Sequence, residues 1–442
     1  MRRRHLPFTA GVILALISGS QPVDAFTNQK SARTTRTSPG NDQHRKRAKQ
    51  RAAKGNTDVR GSKSGTEVQS PPVADSPGTP VIVSAAPSPT AAQAGVTPLS
   101  TSADSRSPSS TIQRNPANPV NPESLVSPEN PTVPFDSSKR DRLQAALDAW
   151  TRSTDVESMT VAITIGSNDW TGATRRDGGA PPDPDATYRV MSITKTVSAA
   201  LVLRAVEQGR LSLDNPLPPI EGVSAQVPSG ITVRRLLGHR SGLTDYTEAL
   251  GYRADLPMTP EMAADLSLRA PLVSAPGTAT RYVNSNYLLL GLLLQQVYGR
   301  GYADLVRSLV APLGLTHTRV DPPDRPGWAG FSSGGIMSTT SDMAHWGDAL
   351  FDPGRVVSAE SLTLMATTGD LGGGLGLWGV CPCSDNLPGV DRFTAIGHFT
   401  AAGGMFRFPQ SGLTLVMKAE PAGGDTIARA VSLSKLLLAE LA

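Results

Sequence analysis

Cysteine is almost missing from this sequence, with two residues in 442, Cys381 and Cys383. That excludes a disulfide-framed fold. The pair itself has two readings, a local bridge across Pro382 after export or two unbridged thiols in a loop. No second cysteine pair and no close histidine cluster accompanies it, which argues against a zinc site. Long apolar runs are missing too. Residues 6–18 (LPFTAGVILALIS) fall short of the roughly 20 residues that span a bilayer, and no later segment qualifies. What surrounds that run points to export instead. Arg2-Arg3-Arg4 precedes it and Val23-Asp24-Ala25 follows, the arrangement of a signal peptide over residues 1–25, with an uncleaved membrane anchor as the alternative.

Acidic residues are scarce in the first third of the chain. The net charge is +4, but residues 1–140 hold 18 Lys+Arg against 9 Asp+Glu, whereas the remainder holds 24 against 29. The basic balance therefore belongs to the N-terminal part. Its densest patch, residues 44–54 (HRKRAKQRAAK), has two readings, electrostatic contact with an anionic wall or membrane surface, or a solvated segment. Nucleic acid is not an expected partner of an exported chain. From residue 26 to residue 137 the sequence is rich in Ser, Thr, Pro, Ala, Gly and Gln without apolar period. Such a stretch cannot bury enough apolar surface to offset its ordering entropy, and it reads as a disordered tether.

Folded character starts at Ser138. Leu143, Ala146, Leu147 and Trp150 form a helical stripe. Val161–Ile165 reads as a strand, Ser167-Asn168-Asp169 as a turn, and Trp170-Thr171 as the start of the returning strand. A short strand is expected at 187–190, and residues 192–368 are mostly helical in pattern. Strands return at 395–399, 406–408 and 413–418, before a closing helix marked by Ile427, Val431, Leu433, Leu436, Leu437 and Leu441. Strands at both ends with helices between them predict an α+β domain over 138–442, an antiparallel sheet flanked by helices plus an all-helical subdomain. About 300 residues is ample for a large core.

Ser192-Ile193-Thr194-Lys195 follows a strand and opens a helical pattern running to Gln208, with Gly209 as its C-cap. Three residues is one turn, so the serine and lysine share a face. An ammonium cannot accept the serine proton, so burial or nearby positive charge must hold Lys195 toward neutrality. The helix start also offers N–H donors and positive potential where an oxyanion would form. The spacing alone is weak. Ser432-Leu433-Ser434-Lys435 repeats it in the last helix and reads as coincidence.

Context separates the two. The run from Tyr188 (YRVMSITKTVSAALVLRAVEQGRLSLDNPL), the segment Leu237–Leu243 (LGHRSGL), the block 276–298 around Tyr282-Val283-Asn284, and Gly335–Met343 (GIMSTTSDM) occur in this order. Together they resemble serine β-lactamases and D-alanyl-D-alanine carboxypeptidases, over roughly residues 140–442. The Tyr-x-Asn motif is similar to the class C and carboxypeptidase branch. The resemblance implies a β-lactamase/transpeptidase-like fold with the cleft between sheet and helical subdomain. It implies Ser192 as nucleophile, Lys195 and Tyr282 as proton carriers, and Asn284 as a group that holds the substrate's amide or steadies Lys195.

The family's third motif falls on His398-Phe399-Thr400. His398 is implied as a cationic or hydrogen-bonding group facing a carboxylate or the tyrosine, and the Ala401 N–H as a second oxyanion donor beside that of Ser192. Thr400 stands where glycine is usual, which narrows the close approach a glycine permits. His239 and His317 fall in segments that resemble structural parts of the family, and buried, hydrogen-bonded histidines are expected at both. The implied activity is hydrolysis through an acyl-enzyme, without metal or organic cofactor, on a small molecule or a peptidoglycan stem peptide. D-Ala-D-Ala carboxypeptidases, β-lactamases and esterases share the fold, so a carboxylesterase is one alternative; a non-catalytic wall-associated protein of the same fold is the other.

Overall fold

Asp136 opens the first helix, α1 (Ser137–Arg152), by accepting from the Lys139 N–H at 2.7 Å. The computed structural model describes residues 134–367, 373–380, 395–409 and 411–442. Residues 1–25, expected to be a signal segment, the expected tether up to residue 133 and the Cys381/Cys383 pair lie outside these residues. Strand β1 (Ser158–Ile165) turns through Gly166, at φ 59°, into β2 (Asn168–Arg175). Strand β3 (Tyr188–Arg189) leads into a short 3-10 turn, Met191–Ile193, and then α2 (Thr194–Glu207).

The helical region follows, with α3 (Val233–Leu237), α4 (Pro260–Arg269), α5 (Asn284–Tyr298) and α6 (Tyr302–Val310). Strand β4 (Arg319–Val320), α7 (Phe331–Gly334), β5 (Ile336–Ser338), α8 (Thr340–Phe351) and α9 (Ala359–Ala366) come next. The chain ends with β6 (Trp378–Val380), β7 (Ala395–Thr400), β8 (Gly403–Phe408), β9 (Leu413–Glu420) and α10 (Thr426–Leu441). Thr232, Thr259, Thr339, Ser358 and Asp425 each accept an N–H two or three residues into their helices, which explains where those helices begin.

The six-stranded sheet has the order β2-β1-β9-β8-β7-β6, with every pair antiparallel. Strands from both chain termini thus meet at β1 and β9, as the sequence pattern predicts. Both faces are covered. Val161, Ile163, Leu415 and Met417 pack with Leu143, Leu147, Leu433 and Leu437 of α1 and α10. The alternate residues Ala162 and Val416 join α8 and the helical region. Burial on both faces is why these strands read as continuous apolar runs.

A second sheet, β3-β5-β4, was expected only in its first strand. Its partners are two and three residues long, too short to show a period of two inside a helical pattern. Helices α2 and α5 are buried on nearly every side, and their N-termini carry the residues considered next.

Candidate active site

Ser192 does not begin an α-helix directly. Met191 takes φ 49°, and the serine sits in the 3-10 turn ahead of α2. The polar side of α2 is tied down throughout its buried course. Thr194 Oγ1 accepts from the Ile336 N–H, and Thr196 Oγ1 donates to the Ile193 carbonyl while accepting from Trp346 Nε1. Ser198 Oγ donates to the Ser332 carbonyl and bonds the Tyr302 hydroxyl. These bonds fix where Ser192 and Lys195 stand.

Lys195 is fully buried. Its Nζ lies 3.3 Å from Ser192 Oγ, 3.0 Å from Asn284 Oδ1 and 2.6 Å from the Ser333 carbonyl. Burial lowers its pKa from 10.5 to about 7, against the opposing pull of the Asp245 carboxylate. A neutral amine has two N–H donors and one lone pair. Asn284 and Ser333 supply the two acceptors, which leaves the lone pair for the Ser192 proton. Tyr282 completes the chain, its hydroxyl donating to Ser192 Oγ at 2.7 Å. Burial holds the Tyr282 phenol well above its ordinary range, so it stays protonated. When Lys195 is neutral the three groups form a directed relay, Tyr282 O–H to Ser192 O–H to Lys195 N.

Asn284 begins α5, and its N–H donates to Asp245 Oδ2 at 2.6 Å. The other Asp245 oxygen accepts from the Thr247 N–H and hydroxyl. A carboxylate at the N-terminus of α5 complements the helix dipole. Asp245 and the Ser333 carbonyl were absent from the sequence-derived site. The Asp-x-Thr pattern at 245–247 was the available signal for the first, and a backbone acceptor leaves none for the second.

The third-motif residues lie on β7, with His398 paired to Met405 and Thr400 to Gly403. His398 is buried, its ring 6.2 Å from that of Tyr282 and steeply inclined to it. Burial and the Lys195 charge push its pKa down to about 3. It is thus a neutral hydrogen-bonding group, not a cation, and among the described residues no side chain reaches either ring nitrogen. Phe399 turns the other way and stacks on Phe406.

Thr400 folds its hydroxyl back into the turn, accepting from the Ala402 N–H and donating to the Gly403 carbonyl. The carbonyls of Thr400, Ala401 and Ala402 accept from Thr426 Oγ1, Gly423 N and Ala419 N. In a trans peptide the N–H points opposite to the C=O, so the Thr400 bond aims the Ala401 N–H away from α10. Trp378, paired with Gly397 beside His398, adds an aromatic wall 6.2 Å from Tyr282. The sequence reading had not included it.

The remaining candidates separate cleanly. His239 is buried and hydrogen-bonded, as expected. His317 is hydrogen-bonded through Nδ1 to Thr316 Oγ1 at 3.4 Å but not buried, with 55% of its side chain exposed. Its neighbour Thr318 takes the interior position and donates to Asp342 Oδ2, while His317 contributes its backbone N–H to the same oxygen. In the second Ser-x-x-Lys, Ser432 Oγ accepts from Trp150 Nε1 and Lys435 is exposed, far from any relay. Among the described residues, only Met191, His239 and Phe331 take positive φ without being glycine. All three abut this centre, before Ser192, behind Tyr282, and at the turn whose Ser333 carbonyl receives Lys195.

A hydrogen-bonded serine, a buried lysine held near neutrality and a protonated tyrosine at the start of a buried helix define an active-site serine hydrolase of the acyl-enzyme type. A family model described as beta-lactamase matches residues 141–377, more than half of the chain, and the chain belongs to that family. The match ends before β7, the strand on which the third motif departs from the family pattern. Penicillin-binding protein 4 of Amycolatopsis lactamdurans is 27% identical over 323 residues, covering 61% of this chain and 81% of that protein. The D-alanyl-D-alanine-carboxypeptidase/endopeptidase AmpH of Escherichia coli is 28% identical over 200 residues, covering 40% of this chain and 51% of AmpH. The chain thus spans about half the length of that relative. The D-amino acid amidase of Ochrobactrum anthropi SV3 shares the fold, with a TM-score of 0.56 at 22% identity over 69% of this chain and 99% of that one.

Proposed function

We propose that the protein is an extracytoplasmic hydrolase of D-amino-acyl peptide or amide bonds, with a peptidoglycan stem peptide as its substrate class. The observation that carries the reaction type is the relay of Tyr282, Ser192 and Lys195 at 2.7 and 3.3 Å. Ser192 Oγ attacks the scissile carbonyl and gives its proton to Lys195. The tetrahedral oxyanion lies at the Ser192 and Ala401 N–H groups. Tyr282 protonates the leaving amine as the C–N bond breaks, and recovers a proton from Lys195. Water then enters, loses its proton to the same pair, and releases the acid. Asn284 steadies Lys195 from the start of α5. The substrate class draws support from the relatives named as a penicillin-binding protein and as a carboxypeptidase/endopeptidase. Extracytoplasmic placement rests on the signal-type N-terminus, and wall or membrane contact on the basic run at 44–54.

A second reading, a carboxylesterase, is favoured by the third motif. A neutral His398, an inward-turned Phe399 and a self-bonded Thr400 offer a substrate carboxylate neither charge nor free hydroxyl from this strand. One experiment distinguishes the two. The full chain and Ser192→Ala are incubated with a penicillin, a D-alanyl-D-alanine peptide and an aryl ester, and followed by intact mass and product release. A penicillin adduct on Ser192 with peptide cleavage is the expected result. Turnover of the ester alone would establish the esterase, and Ser192→Ala retaining full activity would end both readings.

A further inference from the structure

His239 grips three consecutive residues of the catalytic segment. Its carbonyl accepts from the Arg281 N–H at 2.8 Å, its ring stacks on Tyr282 with centroids 4.4 Å apart, and its Nδ1 accepts from the Val283 N–H at 3.1 Å. The residue takes φ 55° while doing so, a conformation that non-glycine residues seldom adopt.

A second donor reaches the same nitrogen. Asn286 Oδ1 accepts from Ser241 Oγ at 2.6 Å, which turns the Asn286 NH2 toward His239 Nδ1 at 3.2 Å. Two donors on Nδ1 require that nitrogen to be bare, so the proton sits on Nε2. An imidazolium would break both bonds. His239 is therefore no proton carrier; its ring is a fixed wall behind the phenol.

We propose that His239 is a positioning residue for acyl transfer, gripping residues 281–283 so that the Tyr282 hydroxyl stays on Ser192 Oγ. The role rests on the serine-hydrolase reading above, since it acts only through Tyr282. Misplacing the phenol impairs protonation of the leaving group more than it impairs binding. The loss must therefore depend on how much the leaving group needs a proton, which a merely structural defect would not produce.

The test compares an ethyl and a p-nitrophenyl ester of one acyl group in wild type, His239→Asn and His239→Phe. Asparagine tolerates positive φ and offers an acceptor near the Nδ1 position without the ring. Phenylalanine keeps a ring and strips the Val283 N–H of its acceptor. For His239→Asn, kcat on the ethyl ester should fall about 10- to 100-fold at nearly unchanged KM, and kcat on the nitrophenyl ester less than about 3-fold. His239→Phe should show the same selectivity, and melting temperatures establish that each variant is folded. Equal losses on the two esters, or no loss, overturn the proposal while leaving the hydrolase reading intact. A wild type that turns over neither ester, cleaves no D-alanyl-D-alanine peptide and forms no penicillin adduct overturns both.

Discussion

Replacing Lys195 with methionine should abolish activity and remove the pH dependence that this buried amine gives to stability. The fall of the lysine pKa from 10.5 to about 7 corresponds to about 5 kcal/mol, at about 1.4 kcal/mol per pH unit. The sign follows from proton counts. Between pH 7 and 10.5 the unfolded chain holds a proton on Lys195 that the folded chain has released, so stability rises with pH across that window. Below pH 7 both states are protonated and the full penalty applies. Methionine has no such term. It does leave Asn284 Oδ1 and the Ser333 carbonyl without the lysine donor, at about 1–3 kcal/mol each, so the net change at pH 7 lies between a loss of about 1 and a gain of about 3 kcal/mol.

The pH slope is cleaner than the net change, because groups common to the two proteins cancel in the difference. Urea unfolding of wild type and Lys195→Met at half-unit steps from pH 6 to 10 gives the measurement. The wild type should gain about 4 kcal/mol on the variant between pH 7 and 10, with no relative change below 7. Parallel stability curves through pH 7–10 would refute the argument that burial holds this amine near neutrality. The acid limb of kcat/KM in the wild type should fall at the same pH, near 7, since the free enzyme must hold Lys195 unprotonated.

Removing the Asp245 charge with Asp245→Asn takes away the carboxylate that favours protonated Lys195, so the acid limb of kcat/KM should move below pH 7; a limb that moves upward would contradict the assignment. Tyr282→Phe leaves the His239 stack possible but deletes the 2.7 Å bond to Ser192, and should cost about 10²- to 10⁴-fold in kcat with little change in melting temperature. At Gly291, in the middle of α5, an added Cβ would come within 2.1 Å of Ser332 Oγ. Gly291→Ala should therefore destabilise the fold by about 1–3 kcal/mol in a urea titration and lower activity, because Ser332 precedes the carbonyl that receives Lys195.

The sequence revealed the parts of this site that act through their own side chains at short spacing. Ser192 and Lys195 are one turn apart, and Tyr282 and Asn284 bracket a helix start, so local pattern and family resemblance converge on them. Asp245 escaped because it works through the backbone N–H of a residue 39 positions later. Ser333 escaped because it contributes only a carbonyl. Trp378 belongs to a three-residue edge strand whose place beside His398 is set by pairing, which no local period encodes. The sheet was legible for a related reason. Its long strands announce themselves by continuous apolar runs, whereas β4 and β5 are shorter than one alternation can display. His398 was read by position, but its charge state depends on burial and on a lysine two hundred residues away in sequence. Local residue type could not distinguish cation from neutral donor there.

Met191, His239 and Phe331 put three left-handed, non-glycine residues around one catalytic centre. At about 1–2 kcal/mol apiece, their combined strain rivals the lower end of the net stability of an entire domain, about 5 kcal/mol. The centre thus holds backbone strain that the packing around it must offset. At Met191, whose side chain is only half-buried, a glycine would relax the backbone and loosen the geometry of the relay at once, so a gain in thermal tolerance and a loss in turnover should arrive together; at His239 and Phe331 the lost packing outweighs the relieved strain. The same strain makes occupancy matter. A ligand that braces Ser192 and Tyr282 from the cleft side acts on this strained backbone, so the acylated protein should resist heat and proteolysis better than the free one.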